Sequence, residues 1–373
     1  TIVLCSATQP VFENTEYPMI IDENESMTGD YSEDFKVFER TKIIPEITKS
    51  GMTYDEAAVF CRNKYEKSGN LLLIVNTKKS AETIYRKMKE MSFSVQPEII
   101  HLSTNMCPMH RKVAIEKIRN NLDKPVICIT TQLIEAGVDI SFKCVVRSLA
   151  GLDNVAQAAG RCNRHGENNE LCPVYIIDIK DESLEYLADI KRARGISRGI
   201  ITRYTNSDYT SPEILTEYYK KLLDEAKDEL NYNIKKNNDT LINYLSLNSK
   251  RHHPLKNRAE YNNLNKDMAQ AFKTSGELFD VIDAATEGVI VYYNDDAERI
   301  INALLSDIKS DETVKLLRES QKYTVSVYPN GICKMKENGA LMCIDTVNIL
   351  KKEYYDKETG IKLESGLMEF LGM

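Results

Sequence analysis

Short, unbroken apolar runs, separated by helix-forming stretches, constrain this chain more than any other feature. Leu71-Leu72-Leu73-Ile74-Val75, Ile99-Ile100-His101-Leu102, Val126-Ile127-Cys128-Ile129, Cys144-Val145-Val146 and Val174-Tyr175-Ile176-Ile177 are of strand length and leave almost no polar face for solvent. Strands of this kind are buried on both sides, as in a parallel sheet covered by helices. Between them, Asp55–Lys67, Ser80–Met91 and Pro108–Asn120 read as helices, the last with proline in its first turn. The alternation predicts a doubly wound α/β domain of roughly five parallel strands. In such sheets ligand groups collect at the carboxyl ends of the strands. Polar blocks stand at those ends: Asn76-Thr77, Ser103-Thr104 and Thr130-Thr131.

Other regions are written differently. Residues 1–10 read as a strand and loop, 11–34 as a polar, acidic connector, and Phe35 to Ile44 as extended. Pro212–Lys236 carries an apolar stripe of Ile214, Tyr218, Leu222, Leu230 and Ile234 and predicts a long helix. Residues 237–275 read as loop plus short helix. Beyond Gly276, strands are expected at Val289–Tyr293 and Tyr323–Tyr328, with Tyr323, Val325 and Val327 forming a buried face. Tyr354 to Ile361 reads as a hairpin in which Gly360 supplies positive φ.

With 373 residues, 28% charged and 42% hydrophobic, the chain has the make-up of a soluble globular protein of two or three domains. It holds no apolar run near the roughly 20 residues of a membrane span and no secretion signal, so no membrane partner and a cytoplasmic location are expected. The nine cysteines form no CxxC pair; Cys128, Cys144 and Cys343 fall in apolar runs that suit buried, reduced thiols. Cys162 and His165 have metal-like spacing but no second pair, so packing is the reading and no metal site is assigned. A net charge of −7 argues against general coating of nucleic acid. The basic run Lys250–Arg258 reads first as a solvated connector, and second as a loop that contacts single-stranded DNA or a partner complex. Thr1 lies inside an apolar strand-like run without a preceding methionine, so the chain is expected to be part of a longer protein.

The chemistry concentrates in Gln157-Ala158-Ala159-Gly160-Arg161-Cys162-Asn163-Arg164-His165-Gly166. Leu152 to Arg164 has few helix breakers, which predicts one helix with Arg161 and Arg164 on a common face. Two guanidiniums on one face suit phosphate oxygens, because each fork donates paired hydrogen bonds to an anion. Upstream lie Thr130-Thr131-Gln132-Leu133-Ile134-Glu135-Ala136-Gly137-Val138-Asp139 and, near the start, Cys5-Ser6-Ala7-Thr8.

In this order the blocks resemble superfamily-two helicases. With "IVNTKKSA" at 74–81, "HLSTNMCPMHR" at 101–111, "ITTQLIEAGVDIS" at 129–141 and "LDNVAQAAGRCNRHG" at 152–166, the chain most resembles the helicase-nuclease of type I CRISPR interference. The resemblance implies a RecA-like second motor lobe. Residues 1–34 would hold the end of the first lobe and a connector, 35–185 the second lobe, 186–275 a helical linker and 276–373 a small α+β domain. It implies that Arg161 and Arg164 reach the γ-phosphate of ATP and that Gln157 orients the attacking water or holds the phosphate. Gly137 and Asp139 would touch the nucleotide. Asn76, Thr77, Ser103, Arg111, Thr130 and Thr131 would bind phosphates of single-stranded DNA, and Ser6 and Thr8 would couple the two sites. It further implies a guide-RNA surveillance complex, Cascade, as partner in defence against foreign DNA.

The chain contains no GxxxxGK[ST] phosphate loop. The resemblance places that loop and the Mg²⁺ ligands in a first lobe, and a divalent-metal nuclease in a further domain, none of which this sequence contains. The chain by itself is therefore expected neither to hydrolyse ATP nor to cut DNA. Two alternatives stand beside this reading: another superfamily-two helicase acting on nucleic acid, or a non-catalytic half-motor serving as an interaction module.

Overall fold

The computed structural model describes Thr8, Phe12, Pro18 and residues 39–135, 137–230, 232–234, 239–245, 271–279, 286–306, 310–344 and 346–362. Ser6 and the basic run Lys250–Arg258 lie outside the described residues.

The apolar runs become a six-stranded sheet. Its strands are β1 (Thr41–Glu46), β2 (Asn70–Ile74), β3 (Glu98–Leu102), β4 (Val126–Thr130), β5 (Val145–Ser148) and β6 (Cys172–Ile177), in the order β1-β6-β5-β2-β4-β3. Every pairing is parallel. Each connection therefore crosses a face, and four of the five do so through a helix, α1 (Tyr54–Ser68), α2 (Lys78–Lys89), α3 (Pro108–Arg119) and α4 (Leu152–Ala159), while β4 leads to β5 through a loop with one short 3₁₀ turn (Gln132–Ile134). Side chains along β2 divide by parity. Leu71, Leu73 and Val75 pack with Ala58 and Cys61 of α1 and Ile84 and Met88 of α2. Leu72 and Ile74 pack on the other face with Ile118 of α3 and Ala158 of α4. Two-sided burial is why β2 is apolar throughout; each such side chain contributes roughly 1.5–3 kcal/mol. The start of α1 is fixed by a capping box: Thr53 Oγ1 accepts from Glu56 N–H (3.1 Å), and Glu56 Oε2 accepts from Thr53 N–H (2.7 Å).

The sheet has one strand more than the alternation predicted. β1 pairs only with β6, and Pro45 within it suits an edge, where a missing N–H costs no ladder bond.

After the sheet come α5 (Ala188–Arg203) and α6 (Pro212–Glu225). The single long helix expected to Lys236 stops at Glu225: Leu230 is exposed and Ile234 belongs to β7 (Asn233–Ile234). β7 pairs antiparallel with β8 (Asp239–Thr240), followed by short helices α7 (Leu241–Leu245) and α8 (Phe272–Leu278). The described residues of Tyr219–Ala284 form their own compact unit.

Residues from Ala285 onward cluster in one compact unit with Ser26–Tyr218. They build a second, mixed sheet from β9 (Glu287–Ile290), β10 (Thr324–Val327), β11 (Leu341–Ile344) and β12 (Val347–Leu350), ordered β10-β9-β12-β11. Helices α9 (Asp295–Leu304), α10 (Ser310–Ser320) and α11 (Pro329–Glu337) accompany it. Tyr323, Val325 and Val327 are buried in its core, as their alternation predicts. Cys343 is exposed, against expectation, because β11 is an edge strand.

The hairpin forms as β13 (Tyr355–Asp356) and β14 (Gly360–Ile361) and docks this sheet on the first. Tyr355 Oη accepts from the Cys107 N–H (3.2 Å) and pairs with His110 Nδ1 (2.9 Å), while Tyr293 stacks on His110 with ring centroids 4.6 Å apart. Burial holds His110 down at about 4, so its ring is neutral in this contact. Gly360 has φ +90, and a Cβ there would lie 2.3 Å from the Asn105 carbonyl oxygen. The glycine is thus required by both conformation and space.

Candidate functional site

Because the six strands are parallel, the loops after β2, β3, β4 and β5 leave from one sheet edge. There the structure builds two arrangements of charge.

The first is buried. Arg147, on β5, is fully enclosed and forms an ion pair with Glu135 (Nε–Oε1 2.8 Å), off the hydrogen-bond axis. Its Nη1 donates to Asn76 Oδ1 (2.7 Å) and to the Ser148 carbonyl (2.8 Å). Glu182 accepts from Asn76 N–H (2.7 Å), Asn76 Nδ2 (2.7 Å), Ser148 Oγ (2.6 Å) and Thr77 N–H (3.2 Å). Asn154 of α4 donates to the remaining Glu135 oxygen (3.2 Å). Burial raises the Glu135 carboxyl, and Arg147 and Asn154 pull it partly back. The network ties the loop after β2, the loop after β4 and helix α4 to one another.

Asn76, a candidate phosphate ligand, lies inside this network. Its amide and backbone N–H are all engaged inside this network, and none is presented to a ligand. Thr77 is the N-cap of α2, its hydroxyl accepting from Ser80 N–H (3.1 Å). Ser103 is buried and shares its hydroxyl with His101 Nε2 (3.0 Å) and the Asn105 N–H (3.3 Å). Thr130 is enclosed and turned back onto the Thr131 carbonyl (3.1 Å), and Thr131 is buried beside it. Arg111 is partly exposed and lines a cleft with Thr104 and Pro108 on one side and Thr324 and Ser326 of the second sheet on the other. Thr8 is buried, with interactions of its own.

The second arrangement is at the surface. Helix α4 does not run through Arg164; it ends at Ala159. The chain then bridges to Phe142, whose N–H donates to the Arg161 carbonyl (2.9 Å) and whose carbonyl accepts from Asn163 N–H (2.9 Å), with Asn163 at φ 46. Burial of Cys162 in the core under α4 outweighs continuing a solvated helix, and asparagine tolerates the left-handed turn this requires. The two arginines therefore leave from a loop, not from one helix face. Arg161 is nearly enclosed and donates to the carbonyls of Glu135 (2.6 Å) and Val138 (2.7 Å), leaving its Nε buried and without a hydrogen bond among the described residues. Arg164 is half-exposed; its Nε donates to Asp139 Oδ1 (2.9 Å) and its Nη1 to the Gly160 carbonyl (3.2 Å). The Arg164 hydrogen bond holds the Asp139 carboxyl below its usual range, with help from His165 at 3.4 Å. His165 is exposed while Cys162 is buried, so the two do not converge on a metal position. Gly137 turns the loop at φ +73, with open space where a Cβ would stand. Gln157 is exposed on the last turn of α4.

The structure thus brings Gly137, Asp139, Arg161 and Arg164 together and leaves Thr77, Ser103 and Arg111 at separate positions along the sheet edge. Glu135, Arg147, Glu182 and Arg40, whose guanidinium holds the Arg164 carbonyl, were not singled out from sequence. Arg147 alone left a signal: a charged residue interrupts the apolar run Val145-Val146-Arg147.

Six parallel strands in this order with helices on both faces form a RecA-like sheet, here joined by a small domain with its own sheets. Residues 67–167 match the model of the C-terminal part of the CRISPR-associated nuclease/helicase Cas3. The chain is 42% identical over 87 residues to the Cas3 nuclease/helicase of Haloferax volcanii, covering 22% of this chain and 9% of that protein. The corresponding protein of Methanothermobacter thermautotrophicus is 26% identical over 139 residues, covering 36% of this chain and 16% of the relative. Among solved structures, T. fusca Cas3 with AMPPNP shares the fold over 89% of this chain and 39% of its own, at TM-score 0.53 and 14% identity. A chain of a CRISPR RNA-guided surveillance complex in a pre-nicking state shares it over 86% of this chain and 44% of its own, at TM-score 0.52 and 12% identity. The chain thus spans well under half the length of these relatives. Among the described residues, no helix is long and apolar enough to cross a membrane.

Proposed function

We propose that this chain is the ATP-responsive second half of a motor that moves along single-stranded DNA in type I CRISPR interference, with a nuclease elsewhere in the complete protein. The observation that carries the reading is the position of Arg164. It is half-exposed at the sheet edge, and its one carboxylate partner, Asp139, is itself exposed. An exposed ion pair of this type is worth little, so a phosphate can take the carboxylate's place at small cost.

The residues fit the edge of a nucleotide site but not a whole one. Two guanidiniums and the open turn at Gly137 are here, whereas a phosphate loop is absent from the sequence. ATP bound to a partner lobe would supply the cleavable phosphoanhydride. Within this chain Arg161 holds the loop after β4 in shape through the carbonyls of Glu135 and Val138, and Arg164 neutralises charge on the phosphate side. Gln157, exposed on the last turn of α4, is assigned to orienting water. Thr77, Ser103, Thr131 and Arg111 are assigned to the strand's phosphates, and recruitment by Cascade is carried over from the likeness to Cas3 and to a chain of a surveillance complex.

The test is Arg164→Ala in the complete protein. DNA-stimulated ATP turnover should fall by roughly 10³-fold or more, as for other arginine fingers, with nucleotide binding largely kept. Unchanged turnover removes Arg164 from the mechanism. Equal stimulation by single-stranded RNA and DNA would favour a different superfamily-two helicase.

A further inference from the structure

We propose that Cys172 and Cys162 form a redox-sensitive dithiol, in which a hydroperoxide oxidises Cys172 through an adjoining cavity and Cys162 closes a disulfide behind it. Cys172 opens β6 and lines a cavity of about 390 Å³ together with Lys64, Lys143, Cys144 and Asn168. Asn168 Nδ2 donates to the Cys172 sulfur (3.4 Å). Cys162 lies on the core side, its thiol 3.6 Å from the carbonyl of Pro173, the residue after Cys172. The two segments meet at one acceptor: the Cys172 backbone N–H (3.0 Å) and the side-chain Nδ2 of Asn163, next to Cys162, (3.4 Å) both donate to the Arg40 carbonyl. Both cysteines belong to one core cluster, and the influence of Cys162 lowers Cys172 to about 7 while Cys172 and burial raise Cys162. Cys144 lines the same cavity, but burial pushes it up to about 12, so the cavity holds one thiol that ionises near neutrality and one that does not.

The chemistry balances with the hydroperoxide as the sole oxidant. The Cys172 thiolate attacks a peroxide oxygen; an S–O bond forms, the O–O bond breaks, and the departing oxygen takes a proton to leave as water or an alcohol. The Cys162 sulfur then attacks the Cys172 sulfenic acid; an S–S bond forms, the S–O bond breaks, and hydroxide leaves as water with the Cys162 proton. The dithiol loses two electrons and the peroxide gains them.

The position gives this chemistry a consequence. Cys162 sits between Arg161 and Arg164, on the loop bridged to Phe142, and the Arg40 guanidinium binds the Arg164 carbonyl. A disulfide would fasten the arginine loop to β6. The inference stands on these side chains and does not depend on the motor reading.

The 373-residue chain is treated with iodoacetamide at about pH 7, with Cys172 expected to alkylate at least about tenfold faster than Cys144. Hydrogen peroxide followed by non-reducing peptide mapping should yield the Cys162–Cys172 peptide pair, reversed by dithiothreitol. In Cys162→Ser the reaction should stop at the sulfenic acid, captured at Cys172 by dimedone. Equal alkylation of Cys172 and Cys144, or a peroxide-treated chain whose peptides link other cysteines or none, overturns the proposal. Should Cys162→Ser fail to fold, the two wild-type measurements decide it alone.

Discussion

Two arginine–carboxylate pairs lie near one another at this sheet edge with almost the same separation, 2.8 Å for Arg147–Glu135 and 2.9 Å for Arg164–Asp139. Their surroundings make them different objects. The first pair is 0% and 3% exposed, the second 39% and 65%. Inside, each charge has lost its water, and removing one partner strands the other, at a cost of about 3–5 kcal/mol. Outside, water replaces either partner almost without penalty. The buried pair fixes where loops sit; the exposed pair can open. Distance alone does not tell the two apart.

The largest effect should come from breaking the inner pair. Arg147→Ala is expected to destabilise the chain by about 3–5 kcal/mol, read as a lowered urea midpoint, because Glu135 is left charged and enclosed. The double substitution Arg147→Met with Glu135→Leu should recover much of that loss, since no charge is then stranded. A double variant as unstable as the single one would show that the network matters for its hydrogen bonds and not for its charge.

The next effect is a difference of sign with pH. Glu135 has a raised carboxyl, so its penalty is fully present above its folded pKa and is relieved as pH falls from there to the unfolded one. Asp139 has a lowered carboxyl, so its contribution is present above the unfolded pKa and is lost as pH falls through the folded one. Urea midpoints measured between about pH 3 and about pH 7 should therefore move in opposite directions when Glu135→Gln and Asp139→Asn are each compared with wild type. Movement in the same direction would mean that the two carboxylates share one environment.

The smallest effect should be that of Arg164→Ala on folding. Its urea midpoint is expected to match wild type at about 0.15 M salt, where exposed pairs are well screened. A clear loss of stability would make Arg164 a strut like Arg147 and weaken its assignment to phosphate.

Much of this was legible in the sequence. The runs at Leu71, Ile99, Val126, Cys144 and Val174 have no polar face, so only a sheet covered on both sides accommodates them. Polar blocks after those runs had to fall at one edge once the strands were parallel. The Gly360 turn and the buried alternation of Tyr323, Val325 and Val327 were visible for the same local reasons. The edge strand β1 was visible only as an extended stretch, because Pro45 and its charged neighbours mimic a loop. The end of α4 was not visible: a local pattern from Leu152 to Arg164 favours helix, and only the core pocket for Cys162 and the bridge to Phe142 stop it. Asn76 looked like a ligand for phosphate because of its place after a strand; Arg147 and Glu182, distant in sequence, claim it.

What the sequence determined by itself was the alternation of strand and helix, the edge at which function collects and the residue types gathered there, since these follow from side-chain period and polarity over a few neighbours. Tertiary structure alone decided which charges are enclosed and which stay wet. Burial depends on residues far apart in the chain, and it is burial that turns one arginine into a brace and leaves the other at the surface.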